Sequence, residues 1–172
     1  MLFRSCGALP YVGALAWANG WLSGTWSGWE QVRESLGAVR WMPLYYHYFS
    51  TEMTALVSLL YCVLMYAPVG AACVAWGLRA DASVRGSAWT PALLAGCVAL
   101  VMEAGKLAMP ERHPDPSNVL IAMVAAALVW AGPQSPSTLW WAMGLSALGL
   151  ALTALIPPLP AAHDTQIGRA HV

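Results

Sequence analysis

The sequence predicts an all-α fold, a polytopic transmembrane helix bundle of about five spans, or about four if the first segment is interfacial. Three observations carry that prediction. Of the 172 residues, 59% are hydrophobic and only 9% are charged, against roughly 25% charged in an average soluble domain. The apolar residues fall in blocks near the about 20 residues, or about 17 at the short end, that cross a bilayer as helix. These blocks have no polar face with which to meet water, so a soluble fold would need one very large core with almost no surface to cover it.

The first expected span covers residues 9–25, although Asn19 and its glycines also fit a re-entrant or interfacial segment. Arg4 ahead of it gives a superficial likeness to a signal peptide. Pro10, Asn19, Gly20 and several Trp interrupt the run, however, and no small-residue cleavage pattern ends it, so an uncleaved span is expected. A polar connection, 27–52, follows. In it Glu30, Arg33 and Glu34 allow a turn or two of interfacial helix, while Trp41, Tyr45, Tyr46 and Tyr48 form an aromatic cluster of the kind found at headgroup level. The second span, 53–78, carries no charge, has a kink signal in Pro68 and Gly70, and has Ser50 or Thr51 followed by Glu52 as its cap. The third runs over 89–109, the fourth over 118–131 with Pro116 and Ser117 suiting its start, and the fifth over 139–156.

Orientation is balanced by count. Arg4, Arg79 and Arg85 fall on one side, and Arg33, Arg40 and Arg112 on the other. The short loop with Arg79 and Arg85 is the denser signal and is placed in the cytoplasm, which puts the aromatic loop and the turn around Arg112 together on the outer face.

Eight basic and eight acidic side chains give a formal net charge of zero, so no basic face for nucleic acid and no polybasic segment for anionic lipid is present. Cys6, Cys62, Cys73 and Cys97 are scattered without a CxxC pair and read as small hydrophobes, with no metal framework. No Gly-rich phosphate loop, HExxH or nucleophile elbow occurs, so neither a soluble-enzyme motif nor a cofactor is expected. The final IGRAHV, 167–172, resembles translated sequencing adapter. On that reading the chain is a fragment of a longer membrane protein, and Arg169 and His171 carry no functional weight.

The candidate site is the stretch 102–118, MEAGKLAMPERHPDPSN. Glu103 and Lys106 lie inside an otherwise apolar run, and ionisable groups at membrane depth are costly and mark functional sites by default. Glu103 sits about 10 Å along the helix from Pro110, at roughly 1.5 Å per residue. Spaced i, i+3, Glu103 and Lys106 can pair locally; alternatively Glu103 faces the bundle and is neutralised by Arg112 folding back. Arg112 offers five fixed donors to a carboxylate or phosphate. Pro110, Pro114 and Pro116 stiffen the turn that holds it, and Asp115 or Ser117 can cap the next helix. Asn118 completes the polar cluster. His47 and His113 belong to two loops on one face, where a metal or acid/base role is conceivable and an exposed loop histidine is the expectation for each. Tyr45 and Tyr48 accompany them as interface rings.

These residues resemble the VanZ-like membrane proteins, in which a helix ends with Glu, an Arg follows a turn, and an acidic residue leads into the next span. Glu103, Arg112 and Asp115 match that spacing, and LMYAPVG, 64–70, resembles the family's Pro-x-Gly segment. Lys106 stands where the family has Gln, Asn118 where it tends to have Asp, Ala122 where it has Asn, and Cys62 where Asn is frequent. The resemblance covers about 45–130. Together with the spans and the adapter-like end it divides the chain into four regions: an N-terminal span with aromatic loop, 1–52; a VanZ-like core, 53–132; a further span and tail, 133–166; and the foreign end, 167–172. It implies a multi-pass bacterial inner-membrane protein of cell-envelope or surface-polysaccharide biology, in a family named for a link to glycopeptide resistance. The expected partners are the lipid bilayer and an anionic or lipid-linked glycan, with other envelope proteins as companions. A non-catalytic scaffold subunit and a transporter fragment are the alternatives.

Overall fold

The computed structural model describes residues 8–75 and 87–132, with Gly144. The Arg79–Arg85 loop, the fifth expected span, Arg4 and the IGRAHV end lie outside these residues. Among the described residues the chain is all-helical: α1 Ala8–Ala18, α2 Trp29–Ala38, α3 Tyr45–Tyr48, α4 Glu52–Ala75, α5 Trp89–Lys106 and α6 Ser117–Ala131.

Helix α4 has 24 residues, about 36 Å at roughly 1.5 Å per residue, which exceeds a hydrocarbon core of about 30 Å. It is the one helix among the described residues that is long and apolar enough to cross a membrane. Its start is capped as the sequence indicates, with the Thr54 amide donating to Thr51 Oγ1 at 3.3 Å. Pro68 lies inside it, where its missing N–H removes one ladder bond. Helix α5 has 18 residues but carries Glu103 and Lys106 in its last turn, and α1 and α6, with 11 and 15, are shorter than a straight crossing requires.

Two expected spans end early for local reasons. After α1 the chain makes a Schellman closure, with Gly20 at φ +83°, Trp21 N–H donating to the Ala16 carbonyl and Gly20 N–H to Trp17. Such a closure satisfies the last carbonyls and stops a helix. Helix α5 tightens beyond Lys106 into i→i+3 bonds, Leu107 to Ala104, Ala108 to Gly105 and Met109 to Lys106, before Pro110 forbids continuation. Helix α2, expected from the sequence as a turn or two of interfacial helix, is longer, at 10 residues, and none of its residues is buried.

Helix α6 packs along both α4 and α5, which touch each other less. Small residues make the approach possible: Gly70 and Ala71 on α4, Ala95 and Ala99 on α5, and Ala122 and Ala126 on α6 are buried. A Cβ on Gly70 would collide with the Ala126 carbonyl oxygen, so the α4 and α6 backbones meet at that point. Close approach through small residues is how helices associate where lipid removes the hydrophobic drive. From α1, Leu15 enters the core, and the Tyr11 hydroxyl donates to the Met65 carbonyl at 2.5 Å. The outer faces are apolar too: Leu56, Val57 and Leu60 on α4, Leu93, Leu100 and Val101 on α5, and Leu120, Val124 and Leu128 on α6 are exposed.

Candidate functional site

Glu103 is the hub of the site. It is 5% exposed, and burying a lone carboxylate is costly unless it is paired and hydrogen-bonded. Both conditions are met. Its Oε1 accepts from Lys106 Nζ at 2.7 Å and from Asn118 Nδ2 at 2.9 Å, and its Oε2 accepts from the Asp115 amide at 2.8 Å. One side chain thereby joins the end of α5, the proline turn and the first turn of α6.

The ion-pair partner of Glu103 is therefore Lys106, one helical turn away, and not Arg112. The i, i+3 spacing reaches without any movement of the turn. Asp115 is turned the other way. Its Oδ1 accepts the Ser117 amide at 2.9 Å, and Pro116 already has helical φ and ψ, so Asp115 acts as the cap of α6 with proline in the first helical position.

Ser117 is a residue whose part the sequence did not show. It is 1% exposed, and its Oγ accepts the amide of Leu44, 73 residues away, at 2.7 Å. Leu44 has φ +59°, an uncommon conformation for a bulky side chain, held where α3 begins. This bond brings the aromatic loop over the proline turn. Asn19, read from the sequence as a weakness in the first span, is buried with its Nδ2 donating to the Leu15 carbonyl at 2.8 Å.

His47 corrects an expectation. Its side chain is only 11% exposed, Nδ1 lies 3.9 Å from Asp115 Oδ2, and both ring nitrogens are buried without a hydrogen-bond partner. His47 belongs to the one-turn helix α3, whose start at Leu44 is tied to Ser117. His113 is exposed, as expected, and its ring lies nearly parallel to Tyr46 with centroids 6.5 Å apart. Tyr48, 76% exposed, contacts Phe49; Tyr45 contacts Tyr46 and Phe49 and lies under the Arg40 guanidinium. Those two tyrosines are not part of the cleft.

A cleft of about 380 Å³ runs from this cluster toward α1 and α4, within the about 300–1,000 Å³ typical of small-molecule sites. Glu103, Lys106, Arg112 and Asn118 line its polar side, and Met65, Tyr61 and Tyr66 line the side of α4. Arg112 is held by a turn in which its amide donates to Met109 across Pro110 and Glu111, with proline at the position that such a turn favours. Its guanidinium lies against Gly20: a Cβ there would come within 2.8 Å of Nη2 and 3.0 Å of Cζ and Nε. Gly20 is thus required both by its positive φ and by the arginine above it. Among the described residues no carboxylate lies in ion-pair range of Arg112. No group of three His, Cys, Asp or Glu side chains among them could hold a metal ion.

The arrangement separates two tasks. Glu103, Lys106 and Asn118 satisfy one another and fix the wall, whereas the planar fork of Arg112 is in ion-pair range of no carboxylate among the described residues. No protein-family model, curated protein or solved structure matches this chain.

Proposed function

We propose that this chain is a multi-pass bacterial inner-membrane protein of VanZ-like type, acting in cell-envelope or surface-polysaccharide biology, whose cleft binds the phosphate of an anionic or glycosylated lipid through Arg112. The observation that carries the reading is a half-buried guanidinium with no carboxylate in ion-pair range among the described residues, lining a cleft beside the Glu103–Lys106 ion pair. Arginine binds phosphate through paired, charge-assisted hydrogen bonds. The apolar outer faces of α4, α5 and α6 supply the second half of the argument, because an acyl or prenyl chain meets the same surfaces as the bilayer.

Thermal unfolding of the detergent-solubilised protein tests this with three additives. Farnesyl phosphate is expected to raise the midpoint, since a ligand at 100 times its Kd stabilises by about 2.7 kcal/mol. Farnesol tests the chain alone and inorganic phosphate tests the free anion; neither is expected to match it. Equal shifts from farnesol and farnesyl phosphate would remove Arg112 from the account. A second reading, a scaffold subunit whose polar turn only joins helices, draws support from the complete hydrogen bonding of Glu103. No shift from any additive would favour it.

A further inference from the structure

Helix α2 presents Gln31, Glu34, Ser35 and Ala38 to a second cleft of about 210 Å³. Their spacing, i, i+3, i+4 and i+7, is that of a single helix face. Such a face ordinarily packs apolar side chains into a core. Here three of the four are polar and no residue of α2 is buried. Opposite them lie Arg112, His113 and Tyr46. The two clefts therefore meet at Arg112, which lines both.

Resting on the phosphate reading above, we infer that the outer cleft is a sugar subsite, so that the ligand is a lipid phosphoryl glycan with its phosphate at Arg112 and its first sugar under α2. The lining chemistry is that of a neutral polyol. Gln31 Nε2 donates to Ser35 Oγ at 2.9 Å, which fixes the amide and aims its remaining donor and acceptor capacity elsewhere. Glu34 accepts from hydroxyls and disfavours a second phosphate in the same space. The nearly parallel rings of Tyr46 and His113 give an aromatic wall for the C–H face of a sugar. A volume of about 210 Å³ lies below the about 300–1,000 Å³ of drug-sized sites, which suits one sugar ring and not a chain of them.

Equilibrium binding in detergent compares farnesyl phosphoryl glucose with farnesyl methyl phosphate, a diester of the same charge that lacks the sugar. The glucosyl probe is expected to bind about tenfold tighter, the worth of one or two hydrogen bonds. Gln31→Ala and Glu34→Ala are expected to erase that gain while leaving the affinity for farnesyl methyl phosphate unchanged, which also shows that the variants are folded. Equal affinity of the two probes for the wild-type protein overturns the sugar subsite and leaves the phosphate reading standing. A gain that survives both substitutions overturns the placement under α2. Binding of neither probe removes both readings together.

Discussion

The polar cluster is built from unequal residues. Lys106 neutralises a carboxylate that is 5% exposed, and removing one partner of a buried pair typically costs about 3–5 kcal/mol because the other charge is left uncompensated. Lys106→Met is expected to fall in that range by thermal unfolding in detergent, and Arg112→Gln to cost less than about 1 kcal/mol, as for a charge outside a buried pair. The double-mutant cycle of Glu103→Gln with Lys106→Met is expected to show coupling, whereas that with Arg112→Gln is expected to add within about 0.5 kcal/mol. Additivity at Lys106 together with coupling at Arg112 would reverse the assignment. Ser117 offers a second test at this scale. Ser117→Ala deprives the Leu44 amide of its acceptor, and Leu44 is itself exposed, so the expected cost is that of an ordinary hydrogen bond, about 0.5–1.5 kcal/mol. Limited proteolysis within 39–44 should quicken in that variant; an unchanged rate would mean that the aromatic loop is held by other contacts.

At the level of elements, legibility followed how local the cause was. The start of α4 at Thr51 and the start of α6 after Pro116 rest on neighbours in the chain and were readable, whereas the i, i+3 pairing of Glu103 with Lys106 was one of two alternatives, with Arg112 the expected partner on the other. The early end of α1 also had a local signal, Gly20, but its force came from the left-handed closure and from Arg112 lying above it. The burial of His47 and Ser117 depends on a bond between residues 73 apart, which no periodicity carries. Helix contacts give a paired prediction with opposite signs. Gly70→Leu drives a side chain into the Ala126 carbonyl, and overpacking costs about 1–3 kcal/mol or more. Gly37, in α2 with nothing within 4 Å of an added Cβ, should tolerate Ala with a gain of up to about 1 kcal/mol from helix propensity. A neutral Gly70→Leu variant would show that α4 and α6 are not in backbone contact.

For the whole molecule, the described helices place an apolar exterior around a small-residue core, with a polar cluster and two clefts at one end. On the membrane reading proposed above, the exposed Leu and Val of three packed helices would face lipid, so the protein is expected to stay with the membrane pellet after a carbonate wash; its release would end that reading. The proposed function depends most on Arg112 as an anion receptor, because the two clefts meet at that guanidinium. Isothermal titration of farnesyl phosphate into the detergent-solubilised wild type, Arg112→Gln and Arg112→Lys measures this directly. Loss of the charge-assisted fork should weaken binding about ten- to hundredfold in the glutamine variant, with lysine intermediate as a point charge. Equal affinity across the three proteins would contradict the proposal and leave the cluster as a device for joining helices.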